Sequence, residues 1–147
     1  MDPLHSLATL FAPFASLRPA IAIHLAAALS ALCLGPFILW RRKGTPSHKM
    51  LGRLWGSLML TAAVSSLFIR DFHLPNIAGY TPIHLLTALT FFGVIGGVLW
   101  ARRGQMVSHQ KAMRGTFWGG CVGAGLFALA PGRFLGQWLW HHALGWL

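Results

Sequence analysis

The sequence predicts an all-α membrane protein: a four-transmembrane-helix bundle of two repeated helical hairpins, with short interfacial segments at both termini. Three observations predict it. The chain is 55% hydrophobic and only 10% charged over 147 residues, whereas a soluble domain carries about a quarter charged residues. Its cations cluster in two short loops between long apolar runs. Only Asp2 and Asp71 are acidic, so the Lys and Arg residues have no general supply of carboxylate partners.

A helix that crosses a bilayer needs about 20 mostly apolar residues. Residues 19–40, 48–69, 82–100 and 110–130 meet that length. Thr81-Pro82 is a sound start for the third helix, with a hydroxyl cap followed by proline at the first helical position. Trp40, Trp55, Trp100 and Trp118 fall toward the ends that face the basic loops, where indole rings favour the membrane interface. The flanking segments, Leu4 to Leu17 and Phe134 to Leu147, are too short to span and read as interfacial. The adjacent pair His141-His142 is a poor metal site, because neighbouring helical residues point apart. The whole chain, 1–147, is one membrane domain. Its first hairpin covers 19–69, its second 82–131, and an interfacial tail follows from 132 to 147.

Charge sets the orientation. Arg41, Arg42, Lys43, Lys49 and Arg53 surround the first loop; Arg102, Arg103, Lys111 and Arg114 surround the second. Two spans separate these loops, so both lie on one side, which the positive-inside rule makes the cytoplasm. Both termini and the 70–81 loop then lie outside, and the expected location is a bacterial inner membrane. A net charge of +10 suggests nucleic acid, but its confinement to loops beside apolar runs points to anionic lipid instead. Cys33 and Cys121 both fall in apolar runs and read as buried free thiols.

An internal repeat organises the chain. Ile23-His24 recurs as Ile83-His84. Trp40-Arg41-Arg42-Lys43-Gly44 recurs as Trp100-Ala101-Arg102-Arg103-Gly104, and Ser47-His48 as Ser108-His109. Each hairpin therefore has one histidine early in its first helix and one at the start of its second. Gly52 and Gly56, then Gly115, Gly119 and Gly123, step by four; they suit close helix packing, or room for a flat cofactor. Such small-residue stripes leave a homodimer open. Ser57, Thr61 and Ser65 share the same step and suit bonds to helix carbonyls, or a polar path.

Ionisable residues inside a span face the bundle interior as a rule. His24 and His84 then reach similar depth near the outer face, and His48 with His109 form a second pair near the basic face. Paired neutral imidazoles suit the axial ligation of haem b, one or two copies, within a helix bundle. Arg53, Arg114, Lys49 and Lys111 are candidates for propionate or substrate contacts, and Arg70 and His73 for a substrate site outside. No residue stands out as catalytic.

The stretch from His24 to Arg53, with Leu34-Gly35-Pro36 and Ser47-His48-Lys49-Met50-Leu51-Gly52-Arg53, resembles a bacterial membrane family catalogued as domain of unknown function 2306. His109 to Arg114 and Arg133 look like its second half. The order of histidines is also similar to the cytochrome b-561 core. That resemblance implies that His24 and His84 hold an outer haem and His48 and His109 an inner one, with His73 beside an outer donor or acceptor site. The spacings within the hairpins, 24 and 25 residues, are shorter than in the b-561 pattern. The expected function is electron transfer across the membrane with a quinone, ferric iron, a small reductant or a partner redox protein. The rival expectations are a haem-free membrane subunit and a small transporter.

Overall fold

The computed structural model describes residues 17–69, 84–130 and 133–143, apart from the side chains of 134 and 141–143. The N-terminal segment, Arg70 and His73 lie outside the described residues. Every regular element described is helical.

Helix α1, Pro19–Trp40, starts with proline at its first turn and keeps Pro36 inside it. Its 22 residues span about 33 Å at 1.5 Å per residue, enough for a hydrocarbon core of about 30 Å. The chain then turns through Gly44, whose φ of 83° is left-handed and suits a residue without Cβ. Thr45 caps α2, Pro46–Ser66: its hydroxyl accepts from the His48 amide at 3.2 Å. Proline at the first position completes that start, so α2 begins two residues before the apolar run alone predicts. Helix α3, His84–Arg102, is the third rod. Gly104, with φ 75°, repeats the turn at Gly44.

The fourth rod departs from the expected single helix. It starts early, as α4, Met106–Thr116, then widens into a π-helix, π1, Phe117–Gly123, and closes with α5, Ala124–Ala128. Three of the seven π1 residues are glycine (Gly119, Gly120, Gly123). Glycine is a weak α-helix former, and it admits the wider π turn. A short α6, Phe134–Gln137, and a second π segment, π2, Trp138–Ala143, follow.

The rods pack in chain order. Helix α1 lies along α2, α2 meets α3, α3 lies along α4, and π1 returns to α1. Ala31, Ile38, Trp55, Met59, Val94, Phe117 and Cys121 fill the space between them. Outside, large apolar side chains such as Phe37, Leu85, Phe92, Trp118 and Leu126 stand more than half exposed. A soluble fold rarely leaves so much apolar surface uncovered; a bilayer covers it. By length and composition, α1 and α3 are the two candidate spans, with mean hydropathies of 2.1 and 1.7. Among the described residues these two helices alone pass on length and apolarity, so what stands is an all-helical membrane protein with two candidate spans. Helix α2 carries His48, Lys49 and Arg53 in its first turns, and π1 divides the fourth rod.

Two further expectations are corrected. Trp55 is not an interface anchor: it is buried and donates its indole N–H to the Ala31 carbonyl at 3.0 Å. That bond ties the middle of α2 to α1 and satisfies the one polar atom of the ring. Cys33 is exposed on α1, whereas Cys121 is buried with its thiol against Met59 Sδ at 3.2 Å; both thiols are free.

Candidate functional site

Each of the four histidines sits where a helix end meets a neighbouring rod, and their bonds differ. His24, one turn into α1, donates Nδ1–H to the Ala62 carbonyl of α2 at 2.8 Å, with Ser65 Oγ at 3.4 Å. A carbonyl can only accept, so the proton must lie on Nδ1. That leaves the Nε2 lone pair, and no hydrogen bond among the described residues engages it. His109, in the first turn of α4, repeats the arrangement on Gly97 of α3, Nδ1 to the carbonyl at 2.9 Å. Its Nε2 is likewise unengaged among the described residues.

His84 behaves differently. Its Nε2 reaches the Ile69 carbonyl at 3.3 Å, a longer bond that places the proton on Nε2. His24 and His84 thus come to the same end of α2 from two sides, without bonding each other. Between them, Ser66 Oγ donates to the Ala63 carbonyl at 2.7 Å and meets Thr87 Oγ1 at 2.8 Å. Helix α2 therefore holds α1 through His24 and α3 through Thr87 and His84. These polar bonds matter in an apolar interior, where a lost partner cannot be replaced by bulk water.

At the basic end, His48 has a buried Nδ1 with no hydrogen-bond partner. His48 lies within electrostatic reach of His109 and of Lys43. His48, in the first turn of α2, and His109, in the first turn of α4, thus stand at the same end of the molecule, with the two basic loops. Lys49, Arg53, Lys111 and Arg114 are all exposed there. The only acids of the chain, Asp2 and Asp71, fall outside the described residues. With two acids against twelve Lys and Arg, most of the cations must be neutralised by anions from outside the chain. Arg41 partly satisfies itself by lying over the Phe37 ring at 4.9 Å, as Arg133 does over Phe127 at 4.5 Å.

Beside His24 an open apolar groove of about 500 Å³ runs between α1 and α2. Ala20, Ile23, Leu60, Val64 and Phe68 form its walls, and Ser65, which touches His24, forms part of its floor. Between the two histidine levels the interior is filled by Trp55, Met59, Val94, Phe117 and Cys121. The glycines serve that close packing at several points. A Cβ on Gly35 would run into the Phe117 ring, one on Gly93 into Thr116, and one on Gly97 into Met113. Around Gly52 and Gly115 the space is open. In the serine row, Ser57 donates to the Arg53 carbonyl and Ser65 to those of Thr61 and Ala62, as the four-residue step suits.

Sequence reasoning placed the histidines but missed their partners, which are backbone carbonyls and leave no mark in the residue types. It also missed Thr87 and Thr90, which are buried. Their signal was present, since His84, Thr87 and Thr90 step by three along one side of α3. No group of three or more His, Cys, Asp or Glu is arranged to hold a metal ion among the described residues. No curated protein and no solved structure matches the chain. Residues 21–145 match the family described as predicted membrane protein, domain of unknown function 2306; matched over most of its length and folded into apolar-faced helices, the chain belongs to that family.

Proposed function

We propose that the protein is a four-span, b-type haem-binding membrane protein that carries electrons across a bacterial inner membrane, with its basic loops in the cytoplasm and both termini outside. One observation carries the reading. His24 and His109, at opposite ends of the molecule, each pin Nδ1–H to a backbone carbonyl and leave Nε2 as an unengaged lone pair. A ring held by one nitrogen and open at the other is what axial ligation asks of a histidine.

The donor set fits the group: His24 with His84 would hold one haem, and His48 with His109 the other. His84 must first give up its long bond to Ile69. His48 brings a nitrogen that has no partner. A bound haem would supply one-electron redox chemistry at each level. The chain's own residues do the rest. Arg53, Arg114, Lys49 and Lys111 offer cations to the propionates, which the acid-poor basic end otherwise lacks as counter-ions. Trp55, Met59, Phe117 and Cys121 exclude water between the two levels. The groove beside His24 suits an apolar donor or acceptor such as a quinone, while Arg70 and His73 are candidates for contacts outside.

A second reading has its own observation. The bonds of His24 and His109 also clamp α1 to α2 and α3 to α4, which suits a haem-free structural subunit. The absorption spectrum of the purified protein, with its haem-to-protein ratio, separates the two. Two haems should give a split alpha band in the reduced-minus-oxidised spectrum. His24→Ala or His84→Ala should remove one haem, and His48→Ala or His109→Ala the other. A colourless preparation, or equal haem content in all four variants, sinks the proposal.

A further inference from the structure

One repeated motif takes no part in the redox reading. Trp40-Arg41-Arg42-Lys43-Gly44 closes the first hairpin and Trp100-Ala101-Arg102-Arg103-Gly104 the second. The fold repeats it too. Each loop turns on a left-handed glycine and is fixed from within. Thr45 donates its hydroxyl to the Arg42 carbonyl at 3.0 Å. The Gly104 and Gln105 amides donate to the Ala101 and Trp100 carbonyls at 3.2 and 2.9 Å. In both loops the two cations just before the glycine stand exposed, Arg42 with Lys43 and Arg102 with Arg103.

The chain offers these cations little. Its two acids face twelve Lys and Arg, and no carboxylate lies among the described residues. Lys43 gives one N–H to the Leu39 carbonyl at 3.4 Å and has two more to give. Guanidinium groups, with five N–H donors in a planar fork, suit phosphate oxygens.

Position decides which anion answers them. Each loop begins where a candidate span ends, α1 at Trp40 and α3 at Arg102, which is headgroup depth. Each also carries apolar side chains in the open. Trp40 is 87% exposed, and Met106 and Val107, just past Gly104, are 49% and 69% exposed. A soluble phosphate or a nucleic acid would cover the cations and leave these groups in water. A phospholipid covers both, with its phosphate on the cations and its glycerol and upper acyl chain on the apolar groups.

We propose that each hairpin loop holds one anionic phospholipid by its headgroup. Arg42 and Lys43 take the phosphate in the first site, beside Trp40; Arg102 and Arg103 take it in the second, beside Met106 and Val107. The positive-inside rule needs only an excess of charge on one side. Two fixed loops give more, a set number of retained lipids. The inference does not depend on haem.

Native mass spectrometry of the full chain in detergent tests it, with phosphatidylglycerol and phosphatidylcholine as probes. The wild-type protein should retain two phosphatidylglycerol molecules and hold phosphatidylcholine about tenfold or more weakly. Arg42→Gln with Lys43→Gln should leave one, and so should Arg102→Gln with Arg103→Gln. Arg42→Lys with Lys43→Arg, which keeps the charge, should retain both. So should Arg18→Gln, which removes an exposed cation at the other end of α1. These charges also orient the chain during insertion, but the measurement is made on protein already folded. Phosphatidylcholine held equally well, an unchanged count in either loop variant, or an equal loss in Arg18→Gln overturns the proposal. Excess glycerol phosphate separates the lipid from a free anion. It should leave the lipid count unchanged; full displacement would mean that the loops bind a soluble phosphate, and the lipid assignment falls.

Discussion

The two hairpins share a sequence design but use it in opposite ways. In the first, the early histidine, His24, is bonded across its own hairpin and the late one, His48, has an orphaned Nδ1. In the second, the late histidine, His109, is bonded across the hairpin, while the early one, His84, reaches Ile69 at the end of the other hairpin. The turns are alike, with left-handed glycines at 44 and 104. The second rods are not: α2 is continuous, whereas its counterpart is opened by π1. A repeat fixes where residues stand along a rod. Packing decides which carbonyl each one meets. Only one tryptophan of the repeat design turns inward at mid-rod, and it belongs to the first hairpin.

That tryptophan gives the largest expected effect. Trp55 contributes its ring to the core and an N–H to Ala31. Trp55→Ala should cost about 3–5 kcal/mol, in the range for large core truncations. Trp55→Phe, which keeps much of the ring and loses the bond, should cost about 1–2 kcal/mol. Thermal or denaturant unfolding of the purified protein in one fixed detergent gives both values. Equal losses in the two variants would mean that the bond, not the ring, joins α1 to α2.

The contrast between hairpins explains how much could be read in advance. The all-helical class, the apolar faces and the two turns follow from residue types and spacing. The start of α2 was read two residues late, although Thr45-Pro46 carries the same hydroxyl-proline signal as Thr81-Pro82. The inward turn of Trp55 was not, since its position along the rod equally suits the interface, and only the facing Ala31 decides. The π turn at Phe117–Gly123 was half legible: clustered glycines weaken an α-helix but do not say which register replaces it. For the site, the histidine positions were legible. Their tautomers were not, because Ala62, Ile69 and Gly97 act through backbone oxygens common to every residue.

Glycine gives the next effect. A Cβ on Gly35 would strike the Phe117 ring, with Trp55 Nε1 at 3.3 Å beside it. Phe117 is 4% exposed and has little room to withdraw. Gly35→Ala should therefore cost about 1–3 kcal/mol by overpacking. Gly52→Ala, where nothing lies within 4 Å, should be neutral or stabilising by up to about 1 kcal/mol from helix propensity alone. The difference between the two melting temperatures checks the close approach of α1 to π1. Two equal shifts would mean that the rods can part to accept a methyl group.

The smallest effect bears most directly on the opposed hairpins. His109→Phe removes the donor to the Gly97 carbonyl, and interhelical bonds in membrane proteins are worth about 0.6 kcal/mol on average. His48→Phe removes a nitrogen that has no partner. In haem-free protein, His109→Phe should lower stability by about 0.5–1 kcal/mol, while His48→Phe should leave it unchanged or raise it. Matching losses for the two variants would mean that His48 has a partner after all, and the two hairpins would then be alike in bonding as well as in sequence.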